Sequence, residues 1–250
     1  MEAEQQITTI LFDVGGTLLH IDYYFLHKEL ARAGIRVATK DLRRAEYAAR
    51  REIDRFILGE MGDAEQGTDE TRRQPYFSVL LSQIGVEGDA ATQVIEHFNA
   101  AHAQYNLWRT MMPSTPGVLR ALRERGFTLG VISNADGRIS TLLKDSGIAH
   151  FFEVVIDSHV VGVEKPDPRI FQLALEQIKT PAAQTLFIGD LYSADVVGAE
   201  RAGLQAILLD VLDGYGELPC KKICHLQELL TLLPHDSELS SLLTLRMGLD

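Results

Sequence analysis

Five short runs dense in aliphatic and β-branched residues constrain what this chain can fold into. They are ITTILFDV (7–14), FTLGVISN (127–134), EVVIDS (153–158), TLFIGD (185–190) and QAILLD (205–210), each ending in polar or glycine residues. Nearly unbroken apolarity suits strands covered on both faces, as in a parallel sheet. Helical patterns accompany the later runs. PGVLRALRER opens on Pro116, a good first-turn residue, and stops at Gly126, and RISTLLKDSG stops at Gly147. In KPDPRIFQLALEQI, Asp167 can cap a helix that Pro168 begins, and SADVVGAERAG supplies another helical stretch. This alternation predicts an α/β fold, a doubly wound parallel sheet of Rossmann type.

One interval breaks the rhythm. Residues 19–111 read mostly as helix. DLRRAEYAARREIDRFIL carries Leu42, Ala45, Ala49, Ile53 and Phe56 at helical spacing, and QVIEHFNAAHAQY carries Val94, Phe98, Ala101 and Tyr105 likewise. GEMGDAEQGTDETRRQP, between them, is polar and glycine-rich and reads as a loop. The expected organisation is an α/β core of residues 1–18 and 112–250 and an inserted helical domain of residues 19–111. Past Asp210 one short helix, HLQELLTLL, is expected, and the weakly apolar tail beyond Pro234 is expected to pack on the core or fray.

In open α/β sheets, ligands bind outside the carboxyl ends of the strands, so the polar residues there are the candidates. Asp13 ends the first run, Ser133 and Asn134 the second, and Asp190 the fourth; Lys165 follows the third run, and Asp195 lies one turn beyond Asp190. A carboxylate can attack phosphorus and form an aspartyl phosphate. Asp13 and Asp190, with a backbone oxygen, offer hard oxygen ligands suited to Mg²⁺. Mg²⁺ and Lys165 would then offset the charge of a transferring phosphoryl group. Ser133 and the backbone amides of residues 15–17 can donate to its oxygens. Asp195 also suits the first turn of a helix, where the dipole favours an acid, and Asp136 and Asp167 read as caps.

The charge balance restricts partners. Lys and Arg number 24 against 35 Asp and Glu, a net charge of −11, which argues against nucleic-acid or anionic-membrane binding. Cys220 and Cys224 are the only cysteines, too few for a disulfide framework or a four-ligand zinc site. MEAEQQ lacks the basic and apolar regions of a signal peptide, and no apolar run reaches the length of a membrane span. A cytoplasmic monomer or homodimer acting on a small phosphorylated metabolite is expected.

DVGGT (13–17), VISN (131–134), VEKPDP (163–168) and GDLYSAD (189–195) stand in order, each near a predicted strand end. With the helical insertion after the first strand, this pattern resembles the haloacid dehalogenase (HAD) superfamily, in its helical-cap group. The resemblance implies that Asp13 is nucleophile and metal ligand, that Gly15 lends a backbone carbonyl to the metal, and that Thr17 orients the loop. It implies that Ser133 and Lys165 hold the phosphoryl group, with Gly16, Thr17 and Asn134 in the phosphate-binding set. Asp190 becomes the second metal ligand, and Asp195 a further metal-site residue, outside the direct coordination sphere or in it.

The phosphatase members carry DxDGT, and their second aspartate is the general acid/base; here that position is Gly15. Such help is worth about 10²–10⁴ in rate, so good leaving groups, acyl or aryl phosphates, are the substrates least affected. The reading is a Mg²⁺-dependent phosphohydrolase, slowed by this loss. The alternatives are a nearly inactive protein of the same fold that binds a phosphorylated ligand, and a metal-independent 2-haloacid dehalogenase. A phosphonatase would need a lysine from the helical insertion, which offers only Lys28 and Lys40 in polar stretches. His20 is weighed as a substitute acid/base against a solvent-facing hinge histidine. Arg44, Tyr47, Arg51 and Arg55 form a helical stripe that either meets an anionic substrate or is a solvated face. Trp108 and Arg109 are candidates for substrate contact.

Overall fold

The computed structural model describes residues 6–60 and 69–233. Residues 61–68 of the polar stretch, and the tail beyond Leu233, lie outside the described residues. In chain order the elements begin with β1 (Thr9–Phe12), β2 (Leu19–Ile21), α1 (Tyr23–Arg32), α2 (Thr39–Glu60), α3 (Asp69–Gln83), α4 (Gly88–Tyr105) and β3 (Trp108–Met111). They continue through α5 (Thr115–Glu124), β4 (Thr128–Ser133), α6 (Ile139–Asp145), β5 (Val154–Asp157), α7 (Ser158–Val161), α8 (Pro168–Ile178) and β6 (Thr185–Gly189). The series closes with α9 (Gly198–Arg201), β7 (Gln205–Leu209), β8 (Lys221–Ile223) and α10 (Leu229–Leu232).

Six strands form one sheet in the order β5-β4-β1-β6-β7-β8, and every neighbouring pair is parallel. The unbroken apolar runs have a direct cause. Successive strand residues point to opposite faces, and both faces are covered. Ile10 and Phe12 of β1 pack with Leu119 of α5 and Leu143 of α6, whereas Leu11 packs on the other side with Phe171 of α8 and Ala199 of α9. Asp167 caps α8 as expected, its carboxylate accepting from the Arg169 amide.

The helices α1–α4 have an apolar cluster of their own. Leu26, Leu30, Leu42, Ala49, Ile53, Phe77, Leu80 and Phe98 are buried in it, and the Phe77 and Phe98 rings meet edge to face at 5.2 Å. The chain passes between these helices and the sheet twice, along β2 and β3, which pair antiparallel with His20 opposite Thr110.

Several elements depart from the sequence expectation. Phe56 is 52% exposed, and Ile57, one turn past Ile53, takes the inner position. α3 begins at Asp69, within the stretch expected to be loop, and continues through Pro75. The GDLYSAD segment forms a wide π-type turn, Tyr192–Val197, ahead of α9. HLQELLTLL divides into a tight 3-10 turn, Leu226–Glu228, and α10. β2, β3 and β8 were not anticipated: each has three or four residues, and β8 is an edge strand opening with Lys221 and Lys222. Charged edge strands of this kind carry no apolar run. Among the described residues no helix is long and apolar enough to cross a membrane.

Phe98 tests the independence of the helical cluster. Phe98→Ala is expected to cost about 3–5 kcal/mol of stability, the usual loss for a buried phenylalanine, read from urea unfolding of the two proteins.

Candidate active site

The predicted residues meet at the carboxyl edge of the central strands. Asp13 follows β1, Ser133 ends β4 and Asp190 follows β6, and because β1 lies between β4 and β6, their side chains converge. Asp13, Val14, Gly15, Ser133, Asn134, Lys165, Asp190 and Asp195 all line one cavity of about 150 Å³.

Lys165 is the hub. Its buried ammonium lies 2.6 Å from the Asp13 carboxylate and 2.7 Å from that of Asp195. Burial alone would favour the neutral amine, but Asp13 and Asp195 outweigh it and hold Lys165 charged. Asn134 fixes the lysine's backbone, its side-chain amide donating to the Lys165 carbonyl and accepting from the Lys165 amide at 2.9 and 2.8 Å. Asn134, expected to bind phosphate, therefore commits its amide to positioning Lys165. Asp195 commits both oxygens, one to Lys165 and one to the Leu191 amide at 2.9 Å. Gly189 is required by this approach, since a Cβ there would lie 2.2 Å from the Asp195 carboxyl carbon.

Asp190 faces a second cation, one that the sequence reading missed. Arg50 of α2 reaches out of the helical layer to Asp190 at 2.9 Å and to the Gly16 carbonyl at 3.4 Å, while its Nε donates to Glu46 at 2.6 Å. Thr17 donates to the other Asp190 oxygen at 3.3 Å. Gly16 has φ +95°, and a Cβ on it would sit 2.4 Å from Asp190 and 2.7 Å from Arg50, so only glycine fits. Tyr23 and Tyr76 donate to Glu46 at 2.9 and 2.6 Å, and one turn beyond Arg50, Asp54 accepts from the Ser193 amide and hydroxyl. Glu46, Arg50 and Asp54 thus form one buried polar stripe, four residues apart.

The charges do not balance. Glu46, Asp54, Asp13, Asp190 and Asp195 are five buried carboxylates against two buried cations, Arg50 and Lys165. Burial pushes the Asp13 carboxyl up to about 6 in spite of Lys165, and raises Asp190 well above the usual carboxylate value in spite of Arg50. Ligand atoms of Asp13, Asp190 and Asp195 lie within 4.8 Å of one another. This surplus of hard oxygen donors suits a divalent cation such as Mg²⁺.

The other candidates sort cleanly. Ser133 is buried and its hydroxyl has no partner among the described residues, which leaves it available to the cavity. Trp108 lines the cavity; Arg109 does not, and instead pairs with Asp22 at 2.7 Å and lies over the Tyr105 ring. Arg44 and Arg55 of the expected basic stripe pair locally at the surface with Asp41 and Glu52, while Tyr47 is buried and donates to Asp210 at 2.5 Å. Arg44 and Arg55 are a solvated face, Arg51 is half-buried, and the arginine that enters the site is Arg50. Asp136 is not a cap. It lines the cavity, lies 3.5 Å from His102 Nε2 and pairs with Arg138 at 2.5 Å; His102 and then Arg138 hold its carboxyl below the usual range. His20 is partly buried on β2 and is not among the cavity residues. Burial, then the nearby Arg50, lowers its imidazole to about 4, so it is neither a solvent-facing hinge residue nor a proton donor at neutral pH.

A family model described as haloacid dehalogenase-like hydrolase matches residues 7–203. A glyceraldehyde 3-phosphate phosphatase of Methanopyrus kandleri is 30% identical over 209 residues, 80% of this chain and 83% of that protein. The mouse haloacid dehalogenase-like hydrolase domain-containing protein 3 is 31% identical over 143 residues, 56% of this chain and only 57% of that protein. The magnesium-bound crystal structure of the HAD-hydrolase YfnB from Bacillus subtilis superposes with a TM-score of 0.63 at 24% identity, covering 91% of this chain and 99% of that one.

Two outcomes follow from the geometry. Arg50→Ala strands Glu46 and Asp190 as buried carboxylates without their cation and should cost about 3–5 kcal/mol, measured by urea unfolding without divalent metal; Arg50→Lys should recover only part of it, because one ammonium cannot reproduce the guanidinium fork. The depressed His20 keeps its imidazole neutral in the fold while the unfolded chain protonates near 6.5, so its contribution to stability is complete above that pH and fades as pH falls towards about 4. Thermal unfolding between these pH values should show a shallower loss for His20→Gln than for the wild type.

Proposed function

This chain belongs to the haloacid dehalogenase-like hydrolases, and from that premise we propose that it hydrolyses a small phosphorylated metabolite through a phosphorylated Asp13. The observation that carries the reading is the Asp13–Lys165–Asp195 chain, opening on the same cavity as the unpartnered Ser133 hydroxyl.

In the first step an oxygen of Asp13 bonds to phosphorus, and the bond from phosphorus to the leaving oxygen breaks with its electron pair on that oxygen. Lys165 orients Asp13 and carries positive charge beside the phosphoryl oxygens; Ser133 donates to one of them. In the second step water adds to phosphorus, Asp13 leaves as carboxylate, and inorganic phosphate is released. Asp195 keeps Lys165 charged and in place. Asp13 and Asp190, with the Gly15 carbonyl, are the residues that would hold Mg²⁺, which supplies charge neutralisation for the phosphoryl group. The helices α1–α4 act as a lid over this edge, joined to it through Arg50.

Gly15 gives a second reading its support: with no carboxylate there, the same residues serve a protein that binds a phosphorylated ligand and turns it over poorly. Phosphate release from acetyl phosphate separates the two. Wild type with Mg²⁺ is expected to turn over, whereas wild type with EDTA, and Asp13→Asn with Mg²⁺, are expected to lose essentially all activity. Silence of the wild type, with Mg²⁺ and beryllium fluoride still raising its melting temperature, would select the binding protein.

A further inference from the structure

Two features of the cavity bear on what the leaving group must be. The first is a census of protons. Among the described residues that line the cavity, the phenol, imidazole and cationic side chains direct protons to carboxylates of the protein, and Asp13, Asp190 and Asp195 are themselves the candidate metal-binding set. Tyr76 donates to Glu46 at 2.6 Å. Lys165 is held between two carboxylates, and Arg50 between two more. His102 accepts the Leu107 amide on Nδ1 at 3.3 Å, so its ring proton is on Nε2, which faces Asp136 at 3.5 Å. Asp136 itself sits between His102 and Arg138. Ser133 and the two asparagines are not acids at neutral pH. A Cβ on Gly15 would meet only the Trp108 indole, at 3.5 and 3.7 Å, so no carboxylate approaches from that side.

The second feature is the wall. Beyond the charged edge the apolar part of the lining is Ile53, Ile57, Tyr76, Trp108, Ile139 and Leu142, with the Tyr76 and Trp108 rings tilted together at 5.4 Å. The whole cavity, charged edge included, is about 150 Å³, and the wall beyond that edge is mostly apolar. His102, Asn106 and Asp136 also line the cavity, but hydroxyls turned toward the aliphatic and aromatic side chains would go without partners, which is costly.

We infer that the phosphoryl donor is an ester or anhydride whose leaving group is both weakly basic and aromatic, a phenolic phosphate or an aromatic acyl phosphate, seated against Trp108 and the isoleucines. This rests on the phosphohydrolase reading and narrows it. As the Asp13–phosphorus bond forms, the leaving oxygen departs as phenolate or carboxylate, taking the electron pair and no proton. Water then adds to phosphorus and frees Asp13 and inorganic phosphate, with the water protons passing to the phosphate and solvent.

Four substrates and one variant test it with the whole chain in Mg²⁺. Phenyl and benzyl phosphate share a ring but differ in basicity of the leaving oxygen; benzoyl and acetyl phosphate share a leaving carboxylate but differ in the body behind it. The wild type is expected to favour phenyl over benzyl phosphate by at least about a hundredfold in kcat/KM, the scale of missing acid catalysis. Gly15→Asp is expected to close that gap by about tenfold or more, since its Cβ fits without displacement. KM for benzoyl phosphate should lie at least about tenfold below that for acetyl phosphate, as one buried ring provides. Benzyl phosphate turned over within about tenfold of phenyl phosphate, or equal KM values for the two acyl phosphates, would overturn the inference and leave the phosphohydrolase standing. Silence on all four substrates would overturn both.

Discussion

A buried ammonium between two carboxylates organises this protein. Lys165 is far from Asp13 in sequence; it lies in the loop between α7 and α8 and is brought to Asp13 by Asn134, which follows β4, the neighbour of β1. The arrangement is costly to assemble, since desolvating three charges exceeds what their attraction returns unless the geometry is close. The surrounding residues meet that condition. Asn134 clamps the lysine backbone, the Leu191 amide holds Asp195, and Gly189 leaves room for the Asp195 carboxyl. Replacing either carboxylate would leave the ammonium half-paired, so these residues depend on one another more than on the sheet beneath them.

The sheet was legible because its physics is local. A strand covered on both faces must be apolar at every position, and five runs announced it. The polar residues at or shortly after the ends of those runs were legible for the same reason, and Asp13, Ser133, Lys165, Asp190 and Asp195 all reach the cavity. Arg50 was not legible. It is one of several arginines on a highly charged helix, and its burial depends on the approach of α2 to the sheet, a long-range event. A signal was present: Glu46, Arg50 and Asp54 fall four apart beside Ala45, Ala49 and Ile53, so a polar row shares its side with the apolar one. Asp136 was misjudged because a loop aspartate near a helix start is usually a cap, and here His102 and Arg138 take its oxygens instead.

The cavity joins two unlike environments. At one end carboxylates outnumber cations and leave a negative surplus; at the other, the lining is mostly aliphatic and aromatic. Low polarity at one end strengthens the electrostatics at the other. The burial that raises Asp13 and Asp190 comes in part from the helices α1–α4, whose residues Arg50, Ile53, Ile57 and Tyr76 form the far wall. The charged edge and much of the apolar wall therefore come from different parts of the chain and share one cavity.

The stripe on α2 carries a further consequence. Its charges run negative, positive, negative at intervals of one helical turn: Glu46, Arg50, Asp54. Sliding the helix by a turn, about 5.4 Å, in either direction would bring Glu46 or Asp54 against Asp190 in place of Arg50. Like charges would then meet in a buried setting. The alternation works as a vernier with one matching mark: α2 can settle on the sheet at a single height, and the apolar residues beside the stripe need not encode that position themselves.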